Sequence, residues 1–313
     1  MENHHFDPAT NWPQLPAPEE WEGTCTTVHM WSQIAGKIRL ELAPWINHSW
    51  GSTLYVTPSG LTTSAIPYKG GSFRIDFNFI DHRLTITTIA GAEQAFKLKP
   101  MSVADFYRKI MDALKSLGIE VTILARPVEV VEAIPFEEDT QHASYDADAI
   151  QKFHRALLQA DRVFSEFRAG YIGKSSPSHF FWGAFDLAVT RFSGRTAPKH
   201  PGGAPNCADW VMEEAYSHEL SSAGFWAGAG LGEAAFYSYA YPAPEGYAAA
   251  KVEPKDAYFH NDLGEYILPY RAVQSADDPD AMLLRFLQTT YEAAADLGGW
   301  DRNALERRFK RPS

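Results

Sequence analysis

Cysteine is nearly missing from this chain: Cys25 and Cys207 are the only two in 313 residues. Two thiols so far apart make no disulfide framework and give no mark of an oxidising compartment. Long apolar runs are missing as well. No stretch approaches ~18 uninterrupted apolar residues, so a conventional helical membrane span is not expected. The start, MENHHFDPATNWPQLPAPEEW, has no positive residue followed by an apolar run and does not read as a signal peptide. Together these point to the cytoplasm, where Asn47-His48-Ser49 matches a glycosylation sequon by chance.

Basic residues are in deficit. The net charge is −11, shared between both halves of the chain. A nucleic-acid binder needs a basic face to neutralise phosphates. The single basic cluster is the tail Arg302, Arg307, Arg308, Lys310 and Arg311, which reads as a solvated terminus. No nucleic-acid partner is expected. The common catalytic signatures are also missing: no GxxxxGK[ST], no HExxH, no GxSxG and no paired CxxC. Gly228, Gly230 and Gly232 form a GxGxG run with no preceding βαβ context, and they read as a flexible loop.

What is present is an ordinary globular composition, 45% apolar and 21% charged, rich in Trp, Tyr and Phe. Residues 1–23 are Pro-rich and read as extended, with Trp12 and Trp21 pinning them to the body. Val28, Trp31, Ile34, Ala35, Ile38 and Leu42 trace one face of a helix over 24–42. The period then changes. Short strands are expected at 54–57, 61–66, 73–80, 84–89 and 95–98, separated by Gly, Pro and Asp turns. Phe73, Ile75, Phe77 and Phe79 alternate with Arg74, Asp76 and Asn78, as in an antiparallel sheet with one buried face.

Ser102 caps a helix that ends at Gly118, and 119–124 reads as a strand. A boundary near residue 137 divides an α+β antiparallel-sheet domain, 1–136, from a second α+β domain, 137–313, that carries the candidate site. In the second half Asp146 caps a helix to Arg168. The run from His179 to Arg195, apolar on almost every residue, reads as a strand buried on both faces, with a buried helix as the alternative. Residues 194–206 are expected as a loop and 209–220 as a helix ending near Gly224. Strands follow at 235–241 and 266–273, and a helix starts at Pro279 after Asp278.

Three constellations could carry chemistry. On the expected helix, Glu214 and His218 stand four apart and face one way, so they could ligate one cation or share a proton. An intrahelical hydrogen bond serving a half-buried histidine is the commoner reason for such a pair. Within the apolar run, His179, Asp186 and Arg191 need a reason to be there, because charged side chains are seldom buried unpaired. As a continuous strand it would set Asp186 and Arg191 on opposite faces, with His179 on the face of Arg191. A structural ion pair competes with a cleft of perturbed pKa. Third come Asp139, His142, Tyr145 and Asp146, where Asp146 is taken up as a helix cap and His142 is a loop imidazole or a solvated one. Trp182, Trp226 and the alternating Tyr237, Tyr239 and Tyr241 supply aromatic walls for a ligand or simply fill a core.

The strings TVHMWSQIAGKIRLELAPWINHSW, SPSHFFWGAFDLAVTRFSGR, EAYSHELSSAGFW and FYSYAYP resemble a bacterial family of unknown function. The resemblance runs from about Trp21 to Arg302, with Ser49 standing where an aromatic is expected and Ala227 where proline is. It implies no activity and transfers no residue role. The residues themselves lead to an α+β protein of antiparallel sheets packed by helices, in two sub-domains or layers. Its expected role is that of a small-molecule hydrolase or lyase, with a divalent metal as one option. His179, Asp186, His218 and Glu214 would carry the chemistry, and His142, Arg191, Trp182, Trp226 and Tyr239 would line the ligand. The alternatives are a binding protein for a sugar-like or other polar small ligand and a protein built for partner binding.

Overall fold

A computed structural model of the chain describes residues 12–307. Seven helices and two antiparallel sheets of six strands each make up the described residues, an α+β fold as expected. Residues Arg308, Lys310 and Arg311 of the basic tail, and the first part of the Pro-rich start, lie outside them. Arg302 is ion-paired to Asp296, Glu292 and Glu306.

Helix α1 spans Pro18–Leu42, beginning six residues earlier than its apolar stripe suggests. Pro18 at the first helical position has its φ preset and no N–H to lose, so proline here starts a helix. Among the described residues the extended reading therefore covers 12–17 alone. Trp12 is buried against Phe236 and Tyr270 and donates to Asp280, and Trp21 packs on Phe153.

The first sheet runs β1 (Tyr55–Thr57), β2 (Gly60–Thr62), β3 (Ile66–Tyr68), β4 (Gly71–Asn78), β5 (Arg83–Thr88) and β6 (Glu93–Lys97). Its order is β1-β2-β4-β5-β6, with β3 on the other end of β4. The single strand expected over 61–66 is broken because Ser64 takes a left-handed φ of 56°. Phe73, Ile75 and Phe77 face the core in alternation, as read. Helix α2 (Val103–Ser116), capped by Ser102, packs on this sheet, and Trp31 of α1 stacks on its Phe106 at 4.8 Å. The segment 119–124, expected as a strand, makes no ladder; it runs as loop after Gly118.

Helix α3 (Ala147–Ala169) starts at Asp146, whose carboxylate accepts from Asp148 N and Ala149 N. The second sheet follows: β7 (His179–Phe181), β8 (Asp186–Thr196), β9 (His218–Trp226), β10 (Ala235–Tyr241), β11 (Tyr258–His260) and β12 (Glu265–Pro269), with helix α4 (Asp209–Ala215) between β8 and β9. Its order is β11-β12-β10-β9-β8-β7. Paired bonds between Leu54 and Phe180, both 2.9 Å, staple the start of β1 to β7. Helices α5 (Tyr270–Gln274), α6 (Pro279–Leu297) and α7 (Arg302–Leu305) complete the chain. One core cluster draws residues from both sides of position 137, from Trp31 and Phe77 to Phe225 and Leu287.

Four expectations in this half are corrected. The helix expected over 209–220 stops at Ala215, and His218–Trp226 is a central strand with seven consecutive pairs to β10. A helical spacing of apolar groups lost there to two neighbouring strand edges that need a partner. Strand β8 runs on to Thr196, past the expected start of the loop, with a register shift after Phe192. The last strand ends at Pro269, where α5 takes over. Finally, His179–Arg195 is a hairpin, not one strand: Trp182–Phe185 form its turn, with Phe185 at φ 58°. The turn inverts the face count. His179 pairs with Ala188 and so shares the face of Asp186, while Arg191 points the other way.

Candidate functional site

The two faces of the second sheet differ in what covers them. One carries Leu187, Val189, Phe225, Phe236 and Leu268 and is packed by α3 and α6. The other is open in the middle, and the pairing shows why. Rows running across β8, β9 and β10 read Asp186–Trp226–Ala235, then Ala188–Gly224–Tyr237, then Thr190–Ser222–Tyr239. Ala188, Gly224, Ala235, Ser222 and Thr190 are too small to fill the layer. A cleft of about 1000 Å³ stands on this floor. Its walls are α1, the segment around Val128, the β7–β8 turn and α4. Exposed Trp45 and Trp210 pack edge to face at 5.0 Å beside it.

Gly224 decides the centre of the floor. Tyr237 leans over it, so a Cβ on Gly224 would sit 2.4 Å from the phenol ring and hydroxyl and 2.5 Å from the Leu187 carbonyl. Because that space is free, Tyr237 reaches two strands across and donates a short hydrogen bond to Asp186 Oδ2. Tyr239 stacks on Tyr237 at 6.1 Å and its hydroxyl bonds that of Tyr216 on the α4–β9 turn at 2.9 Å. Tyr266 pairs with Ser238, so the preceding residue, Glu265, falls beside Tyr239 and faces the cleft.

The electrostatics follow from this enclosure. Asp186 is buried and, among the described residues, bonds no basic side chain; burial pushes its carboxyl up to about 7, with the Glu129 charge adding and the Tyr237 bond opposing. Glu265 also rises to about 7, through burial first and the Asp186 charge second. Burial raises Glu129 as well. Because the Asp186 charge raises Glu265, the two do not ionise together easily, and near neutrality they hold about one proton between them. Burial keeps the phenols of Tyr237 and Tyr239 well above their ordinary range and lifts Tyr216 to about 12. Burial pushes the Cys25 thiol up to about 12 and raises Cys207, so both hold their protons more firmly than a free thiol does.

Asp186, Trp182, Trp226 and Tyr239 thus meet around one cleft. The other residues singled out lie elsewhere. His179 is on the same sheet face but shut in beside Trp50 and Tyr55, and burial lowers it to about 3. Glu214 accepts from the Trp45 indole at 2.9 Å, and His218, now in a strand, bonds Ser217 at 3.0 Å. Their expected i,i+4 apposition is gone because the helix ends between them. Arg191 is buried under the opposite face, its guanidinium 3.4 Å from the Phe167 ring centre and donating to the Phe167 carbonyl. His142 bonds Asp139 at 2.7 Å, in a loop whose carbonyls cap the start of α2. Tyr145 bonds His82 at 2.9 Å. Among the described residues no three His, Cys, Asp or Glu side chains gather as a metal site requires.

Glu265, Glu129, Tyr216, His29 and Lys37 line the cleft and carry no signal in the sequence. Only strand register brings Glu265 to Tyr239. The period-two tyrosines were the available clue to it, once β12 is known to pair with β10.

The fold and site define an α+β protein with a ligand-sized, carboxyl-bearing cleft on the open face of its second sheet. The chain belongs to a family of unknown function, DUF5996, whose model matches residues 12–307. No curated protein and no solved structure matches it. No helix among the described residues is long and apolar enough to cross a membrane.

Proposed function

We propose that the protein is a small-molecule enzyme, a hydrolase or lyase, in which Asp186 and Glu265 act as a general acid and base. One observation carries this reading: two enclosed carboxyls, each raised to about 7, face one aromatic-walled cleft with no basic side chain bonded to either among the described residues. An acid or base is most effective when its pKa lies near the working pH, and a pair holding one proton can give it at one atom and take one at another. Tyr237 fixes the Asp186 carboxylate and supplies a donor to the oxygen that is ionised. A carboxyl in contact only with solvent or a structural cation would have no reason to sit in this state.

The test is a comparison of the parent with Asp186→Asn and Glu265→Gln after incubation with a small-molecule cell extract, read by mass spectrometry. The parent depletes particular compounds, and both variants bind these compounds but leave them intact. Compounds retained by the parent yet unchanged would replace this reading with that of a binding protein for a polar ligand.

A further inference from the structure

Lys37 is the one lysine or arginine among the described residues lining the cleft, and no part of the proposed acid–base step uses it. It is 4% exposed, and no hydrogen bond or ion pair to a described residue satisfies its ammonium. The nearest carboxylate in sequence, Glu41 one turn further on, is exposed and does not pair with it. Its Nζ lies 5.8 Å from the centre of the Trp182 ring. That ring cannot move far. Its indole nitrogen donates to the Ser52 carbonyl at 2.7 Å, and it lies so close to α1 that a Cβ on Gly36 would come within 2.2 Å of it. An aromatic face attracts a cation but does not replace its water or a counter-ion. With its stem buried and its ammonium turned to the cleft rather than fully enclosed, Lys37 is pulled down by burial to about 8.

The remaining cations nearby are already engaged. Lys174 donates to His48 Nε2 at 2.6 Å, and His29, lowered by burial to about 4, is neutral with its Nε2 2.9 Å from the Gly183 carbonyl. The carboxyl pair does not serve Lys37 either. The charge felt by Asp186 is that of Glu129, and the charge felt by Glu265 is that of Asp186. The cleft therefore has a cationic spot on the Trp182 wall and a separate carboxyl pair on the sheet floor.

We propose that the ligand of this cleft carries a carboxylate that pairs with Lys37 on the face of Trp182, while its other end reaches Asp186 and Glu265. A single lysine with no arginine fork beside it suits one negative charge; a phosphate dianion calls for more donors. The placement of the reacting end rests on the acid–base reading above, whereas the anchoring by Lys37 does not.

The test uses the full chain with its lysines dimethylated by ¹³C-formaldehyde, and phenylacetate, indole-3-acetate and the neutral phenylacetamide as probes. Lys37, assigned by its loss in Lys37→Met, titrates below the other lysines. One of the carboxylates raises its midpoint by ~1–3 pH units, and the amide does not. Quenching of tryptophan fluorescence by that carboxylate weakens about tenfold or more in Lys37→Met, the loss of one charge-assisted hydrogen bond. The proposal is overturned if Lys37 titrates with the surface lysines, if neither carboxylate moves it at millimolar concentration, or if Lys37→Met binds the carboxylate as tightly as the parent. Carboxylate binding through Lys37 together with unchanged turnover in Asp186→Asn would remove the acid–base reading alone.

Discussion

Replacing Asp186 with Asn makes the fold more stable at alkaline pH and leaves it unchanged at acid pH. The free aspartate carboxyl ionises at 3.8, and in the fold burial lifts Asp186 to about 7. A raised folded value means the folded state holds its proton more tightly than the unfolded one. Stability from this group is fully present below the unfolded value and is lost as pH rises through the folded one. At about 1.4 kcal/mol per pH unit, a gap of roughly three units sets a ceiling of about 4 kcal/mol. Local relaxation and water entry lower this, so ~2–4 kcal/mol is the expected cost of ionised Asp186. Asn is neutral at every pH and its carbonyl can still accept from Tyr237. Urea unfolding followed by tryptophan fluorescence should show Asp186→Asn more stable than the parent by ~2–4 kcal/mol near pH 9, and by little near pH 4. The parent should itself weaken between these pH values, since Glu265 has the same sign. An equal stability difference at both pH values would refute the reasoning, because it would mean that Asp186 ionises alike in the folded and the unfolded chain.

Gly224→Ala places a methyl 2.4 Å from Tyr237 and so pushes the phenol off Asp186. Overpacking and the lost bond to a carboxylate together cost ~2–5 kcal/mol in the same unfolding assay, with the Asp186 midpoint rising further as its donor leaves; unaltered stability would mean the floor is not closed at Gly224. Arg191→Ala removes a buried guanidinium from the rings of Phe167 and Tyr291 and leaves the Phe167 carbonyl with only the Gly170 N–H as donor, costing ~3–5 kcal/mol. Because Arg191 serves the helix-packed face, the folded variant should retain the parent's carboxyl titration; a shifted Asp186 midpoint would contradict that separation of faces.

Much of the fold was legible where local chemistry and tertiary packing agree. Ser102, Asp146 and Asp278 cap helices as their positions suggest, and the Phe73–Phe79 alternation becomes a half-buried sheet. The reading failed where long-range pairing overrides a local period. Val211, Ala215 and His218 have helical spacing, yet the edges of β8 and β10 draw His218–Trp226 into a strand between them. That one substitution of elements dissolves the Glu214–His218 pair. The apolar run from His179 hid a hairpin because Trp182–Phe185 contains a single glycine, and its tightest residue is Phe185 in a left-handed conformation. Of the site, Asp186, Trp182, Trp226 and Tyr239 were visible as polar or aromatic residues in unusual company. Glu265 and Lys37 were not, because a strand-end glutamate and a helix lysine look solvated until β12 pairs with β10 and α1 lies over the sheet.

The most direct measurement is the carboxyl ¹³C titration of Asp186 and Glu265 by NMR, assigned with Asp186→Asn and Glu265→Gln. If the two form an acid–base pair at the cleft floor, they titrate as a coupled pair around pH 7, and removing either one lowers the midpoint of the other. Independent midpoints near the ordinary carboxyl values of ~4 would contradict the pair and with it the proposed chemistry.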